Sequence, residues 1–267
     1  MGMIDSLPTT VFGYRWFNPH NQHTAMYRLW ILALTFLMAC GSGSSQQAAT
    51  SPPADSSGVY SFRSGSRDGI GKFYEGREIA HVMGHLGASW LERPEREREE
   101  RTDLLLAALD LKPTDVVADI GAGTGFFSFL MAPEVSKGKV LAVDIQPEMI
   151  EYLNEGKSKR KIANVQPVLG TESDPKLPAN TVDLAILIDA YHEFSYPREM
   201  MSRIASALKP GGRVALVEYR AEDPSVPIKE LHKLSVVQAT KEMRAVGMKL
   251  LKNDDRLPQQ HIMFFGK

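Results

Sequence analysis

The chain has 267 residues, of which 43% are hydrophobic and 24% are charged, an ordinary composition for a soluble fold. Its formal net charge of -1 provides no basic field that would attract nucleic acid, so no nucleic-acid partner is predicted. The single cysteine excludes a disulfide framework within the chain. The first part is not globular in character, which leaves about 200 residues for one core and indicates a single domain.

The N-terminal segment, residues 1–40, has the character of an export signal. Arg28 precedes an apolar run over residues 29–39, too short for a membrane span of about 20 residues but long enough for a signal-peptide core. The run ends at Leu37-Met38-Ala39-Cys40, which resembles a bacterial lipobox, although the methionine is less usual there. We expect translation to start at Met26 and Cys40 to carry the lipid, which would anchor the protein to the periplasmic side of a bacterial membrane. A buried thiol in a cytoplasmic protein is the alternative.

The next two segments are predicted to be a linker and a helical cap. Residues 41–58 are rich in Ser, Ala, Gly, Gln and Pro, and we expect a disordered linker over residues 41–69. Residues 73–83 and 94–109 are predicted to be helices of a cap over residues 70–110. Opposite charges four positions apart within residues 92–101 favour a solvated helix face, with a role in substrate recognition as the alternative.

A glycine-rich turn follows the first strand of the main domain. Residues 116–131 read VVADIGAGTGFFSFLM, which predicts a buried strand, a turn and an apolar helix. A dinucleotide fingerprint would require a third glycine at the position of Phe126. The spacing is instead D-x-G-x-G-x-G, beginning at Asp119, and resembles the first motif of the class I S-adenosylmethionine (SAM) methyltransferases. An ordinary tight βα turn is the alternative.

The second strand ends in a carboxylate. Residues 139–144 form an apolar run that ends at Asp144, 23 positions after Gly121. A carboxylate at a strand end near that distance can accept hydrogen bonds from both hydroxyls of a ribose. Asp144 is therefore the predicted ribose ligand. It can also cap the helix predicted over residues 147–153, and the two roles can coexist.

The remaining elements complete a sheet. Residues 182–189 read as a buried parallel strand, and residues 198–208 as a helix that a Lys-Pro-Gly-Gly turn ends. The segment LKPGGRVALVEY resembles the turn and fifth strand of the same methyltransferases. A helix is predicted from Pro227 to Gly247, and strands over residues 248–251 and 261–265 are predicted to form a final hairpin.

The resemblance implies an α/β fold for residues 111–267: a three-layer, Rossmann-like domain with a seven-stranded sheet, an antiparallel last strand and the N-terminal helical cap. It implies SAM as the cofactor. A small molecule is the predicted methyl acceptor because the sequence has a short cap, no appended recognition domain and no basic field. It also implies cofactor contacts from Asp119, Gly121, Ala122, Gly123, Gly125, Asp144, Ile145, Thr171, Glu172 and Asp189.

Candidate catalytic residues lie in the loop after the predicted fourth strand. His192 and Glu193 are candidates for removing an acceptor proton, with Tyr191 packing or hydrogen bonding near the methyl group. In the alternative, Glu193 only caps and His192 only lines the cavity. Tyr74, His81 and His85 are candidate residues of the same cavity, and His232 could reach its mouth.

Other reactions are less well supported by the residues. Asp189, His192 and Glu193 have ligand types that a hard cation accepts, but no further carboxylate or amide is identifiable, so no metal is predicted. Arsenite methylation in similar enzymes depends on cysteines, and the only cysteine is Cys40. Two alternatives to the methyltransferase remain: a lipid-anchored binding protein that keeps the SAM fold without catalysis, and an NAD-dependent oxidoreductase. The sequence leaves the oligomeric state unknown.

Overall fold

The structure, a computed structural model, describes residues 58–267 as a central β-sheet with helices on both faces and a small second sheet. The strands are β1 (Tyr60–Phe62), β2 (Gly69–Tyr74), β3 (Arg77–Ala80), β4 (Val116–Ile120), β5 (Lys139–Asp144), β6 (Val165–Leu169), β7 (Val182–Ile188), β8 (Leu208–Arg220), β9 (Lys233–Leu234), β10 (Lys249–Asp254) and β11 (Gln260–Gly266). The helices are α1 (Ala88–Leu91), α2 (Arg96–Glu100), α3 (Thr102–Leu109), α4 (Phe126–Met131), α5 (Pro147–Arg160), α6 (Pro197–Ala207) and α7 (Val236–Arg244), and three single 3₁₀ turns lie at His85–Gly87, Tyr191–Glu193 and Glu230–His232.

The main sheet has the order β6-β5-β4-β7-β8-β11-β10, and the two-residue β9 pairs with β8 beside this path. Strands β4 to β8 are parallel, whereas β11 runs antiparallel to β8 and forms a hairpin with β10. The predicted seven-stranded, Rossmann-like sheet with an antiparallel last strand is confirmed. The carboxyl ends of β4, β5 and β7 therefore meet at one edge, where ligands bind in open α/β sheets.

Burial on both faces explains the apolar character of the parallel strands. Successive side chains of a strand point to opposite faces, so Ala118 packs with α6 and α7 on one side while Val117 packs with α3, α4 and α5 on the other. Both residues have no exposed surface. The sheet is thus the middle of three layers.

The segment predicted to be a cap helix, residues 73–83, is instead a β-hairpin. Strand β2 pairs antiparallel with β3, and Tyr74 lies opposite Arg77. The two residues between them, Glu75 and Gly76, have φ angles of 51° and 96°. Such a two-residue turn, with positive φ at both positions and glycine second, joins antiparallel strands and cannot lie inside a helix.

Two other boundaries differ from the prediction. Strand β1 pairs with β2 inside the segment 41–69 that was predicted to be a linker. The helix predicted over residues 94–109 is interrupted at Arg101, whose φ of 51° is left-handed and separates α2 from α3. Residues 70–110 therefore combine a hairpin with short helices rather than forming a purely helical cap.

The predicted helix from Pro227 starts nine positions later, at Val236. Ser235 is its N-cap, because the Ser235 hydroxyl accepts a hydrogen bond from the Gln238 backbone N–H at 3.1 Å. The residues before it form a 3₁₀ turn and β9, which brings His232 to the edge where β7 ends.

The predictions for Met26, Cys40 and residues 1–57 lie outside the described residues. Within residues 58–267, every helix is too short or too polar to cross a membrane.

Candidate active site

The glycine-rich turn after β4 brings the backbone close to its neighbours. Gly121, Gly123 and Gly125 have φ angles of 76°, 55° and 89°, which favour glycine. A Cβ atom on Gly121 would lie 2.7 Å from the Ala190 Cβ, and one on Gly123 would lie 2.6 Å from a Leu91 methyl group. A side chain at either glycine would therefore displace the neighbouring residues Ala190 or Leu91.

Asp144 closes this turn from the end of β5. One carboxylate oxygen accepts a hydrogen bond from the Gly123 N–H at 2.9 Å, and the other accepts from the Gln146 N–H at 3.0 Å. Burial raises the pKa of Asp144, while these N–H groups act to lower it. Each oxygen keeps a second lone pair, so the carboxylate can also accept hydroxyl donors from a ligand. The bond to Gln146, the N-cap residue of α5, also ties Asp144 to the start of that helix.

Two further carboxyl groups lie deep under the same edge. Asp119 accepts a hydrogen bond from the Ser128 hydroxyl at 2.6 Å, and burial raises the Asp119 pKa to about 6. Asp189 accepts from the Gln260 amide at 2.7 Å, and burial together with Glu100 raises the Asp189 pKa. The second oxygen of Asp189 is buried without a hydrogen-bond partner. A ligand with an N–H or O–H group can satisfy it.

These groups surround one cavity of about 450 Å³, within the roughly 300–1,000 Å³ of small-molecule sites. Most of the predicted cofactor residues line it: Asp119, Gly121, Ala122, Gly123, Asp144, Ile145, Glu172 and Asp189. The predicted residues Gly125 and Thr171 lie outside its lining. Gly125 is the N-cap of α4, and Thr171 bridges to Asp174 in the loop after β6.

His192, Glu193 and His232, here called the histidine cluster, form the opposite wall. The His192 Nδ1 lies 2.6 Å from Glu218, a carboxylate with no exposed surface at the end of β8. The His192 Nε2 lies 3.0 Å from the His232 Nδ1. Burial, the largest single influence, lowers the pKa of His192, but Glu218 and Glu193 together raise it above its ordinary value. Burial and His192 lower the pKa of His232 to about 4.

Glu193 completes the cluster. Its Oε1 lies 3.8 Å from the His192 Nε2 and 3.6 Å from the His232 Nδ1, while its Oε2 accepts a hydrogen bond from the Met83 N–H at 3.0 Å. Burial raises the pKa of Glu193. Because Met83 follows β3, the small N-terminal sheet orients this carboxylate.

Tyr191 does not face the cavity. Its ring is fully buried, and its hydroxyl donates to Glu242 at 2.7 Å, where the Arg77 guanidinium also binds. The structure therefore gives Tyr191 a packing position below the loop rather than one near a ligand. Likewise Tyr74, His81 and His85 are absent from the residues that line the cavity.

The charged segment over residues 92–101 also differs from the prediction of a solvated helix face. Arg96 and Glu100, predicted to lie on a solvated face, are only 5% and 4% exposed and pair at 2.9 Å. The Arg96 guanidinium lies 4.6 Å from the centre of the Phe126 ring, and both charged residues line the cavity. The i,i+4 spacing correctly pairs these residues, but their charges face inward.

Sequence reasoning missed Glu218 and gave His232 only a position at the mouth. Glu218 ends the apolar strand Ala215-Leu216-Val217, and such a strand-terminal carboxylate was the signal by which Asp144 was recognised. Its partner lies 26 positions away, so the pairing depends on the order of the strands.

The comparisons with known proteins identify the class. A family model described as a methyltransferase domain matches residues 111–259, and the chain belongs to that family. A SAM-dependent methyltransferase from Aquifex aeolicus has a similar fold, with a TM-score of 0.65, 24% identity and coverage of 69% of this chain and 98% of that chain.

Two curated proteins with similar sequences are also described as methyltransferases or methyltransferase-like. An uncharacterized methyltransferase-like protein of Schizosaccharomyces pombe is 31% identical over 126 residues, 47% of this chain and 46% of that protein. The uncharacterized methyltransferase YcgJ of Bacillus subtilis is 30% identical over 126 residues, 47% of this chain and 49% of that protein. The chain thus spans about half the length of these relatives.

SAM is the cofactor expected of this fold, and the residues present fit it. The backbone of Gly121 and Gly123 lines the cavity, Asp144 can accept ribose hydroxyls, and Asp189 has a buried oxygen available for a donor. When bound, SAM would supply a methyl group already activated by its sulfonium.

Proposed function

We propose that this methyltransferase transfers the SAM methyl group to a small-molecule acceptor that lies against the histidine cluster. The observation that carries the proposal is the common cavity: Asp144, His192 and Glu193 all line it. Asp144 would hold the ribose hydroxyls, and the histidine cluster faces the remaining space. A small acceptor is favoured because a cavity of about 450 Å³ must hold both molecules.

The chain's own residues mainly position the acceptor. Glu218 fixes the ring of His192 through Nδ1, and Met83 fixes the carboxylate of Glu193, so the two polar atoms facing the cavity are held in place. A hydroxyl or amine acceptor would pass its proton to the His192 Nε2 or the Glu193 Oε1 as its heteroatom bonds to the methyl carbon. The methyl–sulfur bond would break, and its electron pair would leave with the demethylated cofactor. The surrounding apolar wall, which includes Phe126, excludes water.

A screen of metabolite pools with methyl-labelled SAM tests the proposal. Label should appear in a small molecule, and His192→Ala or Glu193→Gln should reduce its formation by about 100- to 10,000-fold with cofactor affinity nearly unchanged. His85→Gln, which removes a histidine outside the cavity, is the matched control. Label found only in macromolecules would overturn the acceptor class, and cofactor binding without any transfer would favour the non-catalytic alternative.

The cofactor assignment has its own test. Asp144→Ala should weaken binding of the demethylated product by about 10- to 150-fold, because charge-assisted hydrogen bonds of about 1.5–3 kcal/mol are lost. Calorimetry measures this change, and unchanged affinity in a folded variant would refute the ribose contact.

We also propose export and lipid attachment at Cys40, supported by Arg28, the apolar run over residues 29–39 and the lipobox-like sequence. Multiple acylation is expected, since one lipid chain anchors only marginally. In the native host the wild type should fractionate with membranes and Cys40→Ser should lose its acyl chains. A soluble cytoplasmic protein that retains residues 26–40 would contradict the placement.

A further inference from the structure

We propose that the histidine cluster binds one divalent transition-metal ion of the Zn²⁺ type, with its open coordination positions facing the cavity. The metal site itself is inferred from the distances among the three side chains and does not depend on the proposed methyl transfer. The use of the ion to hold the methyl acceptor rests on the function proposed above.

The three ligand atoms have the spacing of a metal site. The His192 Nε2, the His232 Nδ1 and the Glu193 Oε1 form a triangle with sides of 3.0, 3.6 and 3.8 Å. A circle through the three corners of that triangle has a radius of about 2.0 Å, which matches Zn–N distances of about 2.0–2.1 Å and Zn–O distances of about 2.0–2.2 Å. One ion can therefore reach all three atoms with little movement of the side chains.

Two of the three ligands, His192 and Glu193, are fixed by hydrogen bonds to neighbouring groups, as the ligands of metal sites are. The His192 Nδ1 lies 2.6 Å from Glu218, so the Nε2 of the neutral ring carries no proton. An ion would replace the proton of the hydrogen bond that this Nε2 makes with the His232 Nδ1. The Glu193 Oε2 accepts the Met83 N–H, and the His232 Nε2 lies 3.9 Å from Asp68. This arrangement orients the three donor atoms toward one point.

The charges around the cluster favour a cation. Glu193 and Glu218 bring two carboxylates to two imidazoles. The nearby cationic side chains have carboxylate partners of their own, since Lys229 pairs with Asp68 at 2.6 Å and Arg77 pairs with Glu242 at 2.7 Å.

The ligand types indicate which metal. Two imidazole nitrogens and one carboxylate suit Zn²⁺ and its neighbours, whereas Mg²⁺ and Ca²⁺ prefer oxygen ligands. Three protein ligands leave a position open, as in catalytic zinc sites, and all three residues line the cavity that Asp144 borders. With the ion bound, the lone pairs of His192 and Glu193 are occupied, so an acceptor hydroxyl would be held and made more acidic by the ion instead of giving its proton directly to these side chains.

This site differs from the one considered in the sequence. Asp189, His192 and Glu193 lacked a further ligand, so no metal was predicted. The structure supplies a second imidazole from His232, 40 positions beyond His192, while Asp189 is bonded to Gln260 instead.

Metal titration of the full chain, purified without a polyhistidine tag and stripped with a chelator, tests the proposal. One equivalent of Co²⁺ should bind and give the visible absorption of a low-coordinate cobalt site, and Zn²⁺ should displace it. His232→Ala should weaken Zn²⁺ binding at least about 100-fold, and Glu218→Gln about 10- to 100-fold through the orientation of His192. His85→Gln is the control and should bind one equivalent as the wild type does.

Cofactor affinity, measured on the same samples, separates this proposal from the proposed function. His232→Ala and Glu193→Gln should retain affinity for the demethylated cofactor, which also shows that they are folded. Wild-type protein that binds no Zn²⁺ or Co²⁺, or variants that bind them as tightly as wild type, would overturn the metal site. If methyl transfer persisted in that metal-free protein, the proposed function would stand without it. If one equivalent bound but no methyl were transferred, the site would stand and the proposed function would fall.

Discussion

Replacing Gly121 with alanine should separate the cofactor role of the glycine turn from its folding role. The φ angle of Gly121 is 76°, and left-handed backbone costs an L residue roughly 1–2 kcal/mol. The new methyl group would also lie 2.7 Å from the Ala190 Cβ, whereas ordinary contacts begin at 3.4 Å, so the two must separate by at least the difference. Ala190 lies between Asp189, the first residue after β7, and the turn that carries His192, so the displacement shifts residues that line the cavity.

Gly211 provides the matched control. Its φ angle is 79°, nearly the same as that of Gly121, but a Cβ atom there would meet nothing within 4 Å. Gly211→Ala should therefore lose the same roughly 1–2 kcal/mol of stability without any effect on the cavity. Gly121→Ala should lose at least that much stability, weaken cofactor binding at least tenfold, or about 1.4 kcal/mol, and reduce turnover by about 100-fold.

Denaturant unfolding measures the stability of both variants, and calorimetry with the demethylated cofactor measures affinity. If Gly121→Ala bound the cofactor as tightly as wild type, or if Gly211→Ala lost as much affinity, the close approach to Ala190 would not matter and the argument would be refuted.

Three more predictions concern buried polar groups. Burial raises the pKa of Asp119 in the folded protein to about 6, above the ordinary value of about 3.9 for an aspartate. Between these values the folded protein keeps a proton that the unfolded chain releases, so stability should fall as the pH rises from about 4 to 6. Asp119→Asn should lack about 3 kcal/mol of that fall in urea unfolding. Parallel pH profiles for the two proteins would contradict this assignment. Tyr191→Phe should cost about 1.5–3 kcal/mol of unfolding free energy through its lost bond to Glu242, while calorimetry shows unchanged cofactor affinity; a large loss of affinity would return Tyr191 to the site. Arg96→Met removes one of the two guanidinium partners of Glu100, since Arg93 stays paired with it at 2.8 Å. The unfolding free energy should fall by about 1.5–3 kcal/mol, so a change below about 1 kcal/mol would argue against burial of the pair.

The parts of the fold that the sequence predicts are those encoded locally. The glycine turn at Gly121 and the carboxylate at Asp144 each follow an apolar strand, and the alternation of such strands with helices specifies a parallel sheet. In the N-terminal hairpin, the spacing of the apolar residues is also compatible with a helix. The positive φ angles of Glu75 and Gly76 distinguish the hairpin from a helix. Backbone φ angles cannot be obtained from the sequence, but a glycine between two strand-like segments is itself a signal for a hairpin turn.

The histidine cluster could not be predicted from local sequence patterns, because its contacts join residues that are distant in the sequence. His192 meets Glu218 and His232 across 26 and 40 positions. These separations become contacts because β7 and β9 both pair in parallel with β8, β7 along residues up to Val217 and β9 at Tyr219 and Arg220. The burial of Arg96 has a similar origin, since it depends on aromatic rings of α4 that lie 30 positions further along. Local patterns specify elements, whereas the meeting of polar groups from several elements follows from topology.

The small N-terminal sheet means that the boundary of the family domain is not the boundary of the working unit. A fragment cut at residues 111 and 259 would keep the glycine turn and all three members of the histidine cluster. It would lack Met83, which holds Glu193, and Arg77, whose guanidinium lies between Glu242 and the backbone oxygen of His192. It would also lack β11, the strand that joins β8 to β10 and carries the partner of Asp189. If residues 111–259 alone were moved into a relative, the hybrid protein would receive the glycine turn of this chain. It would not receive Met83, Arg77 or β11, which contact residues around the cavity.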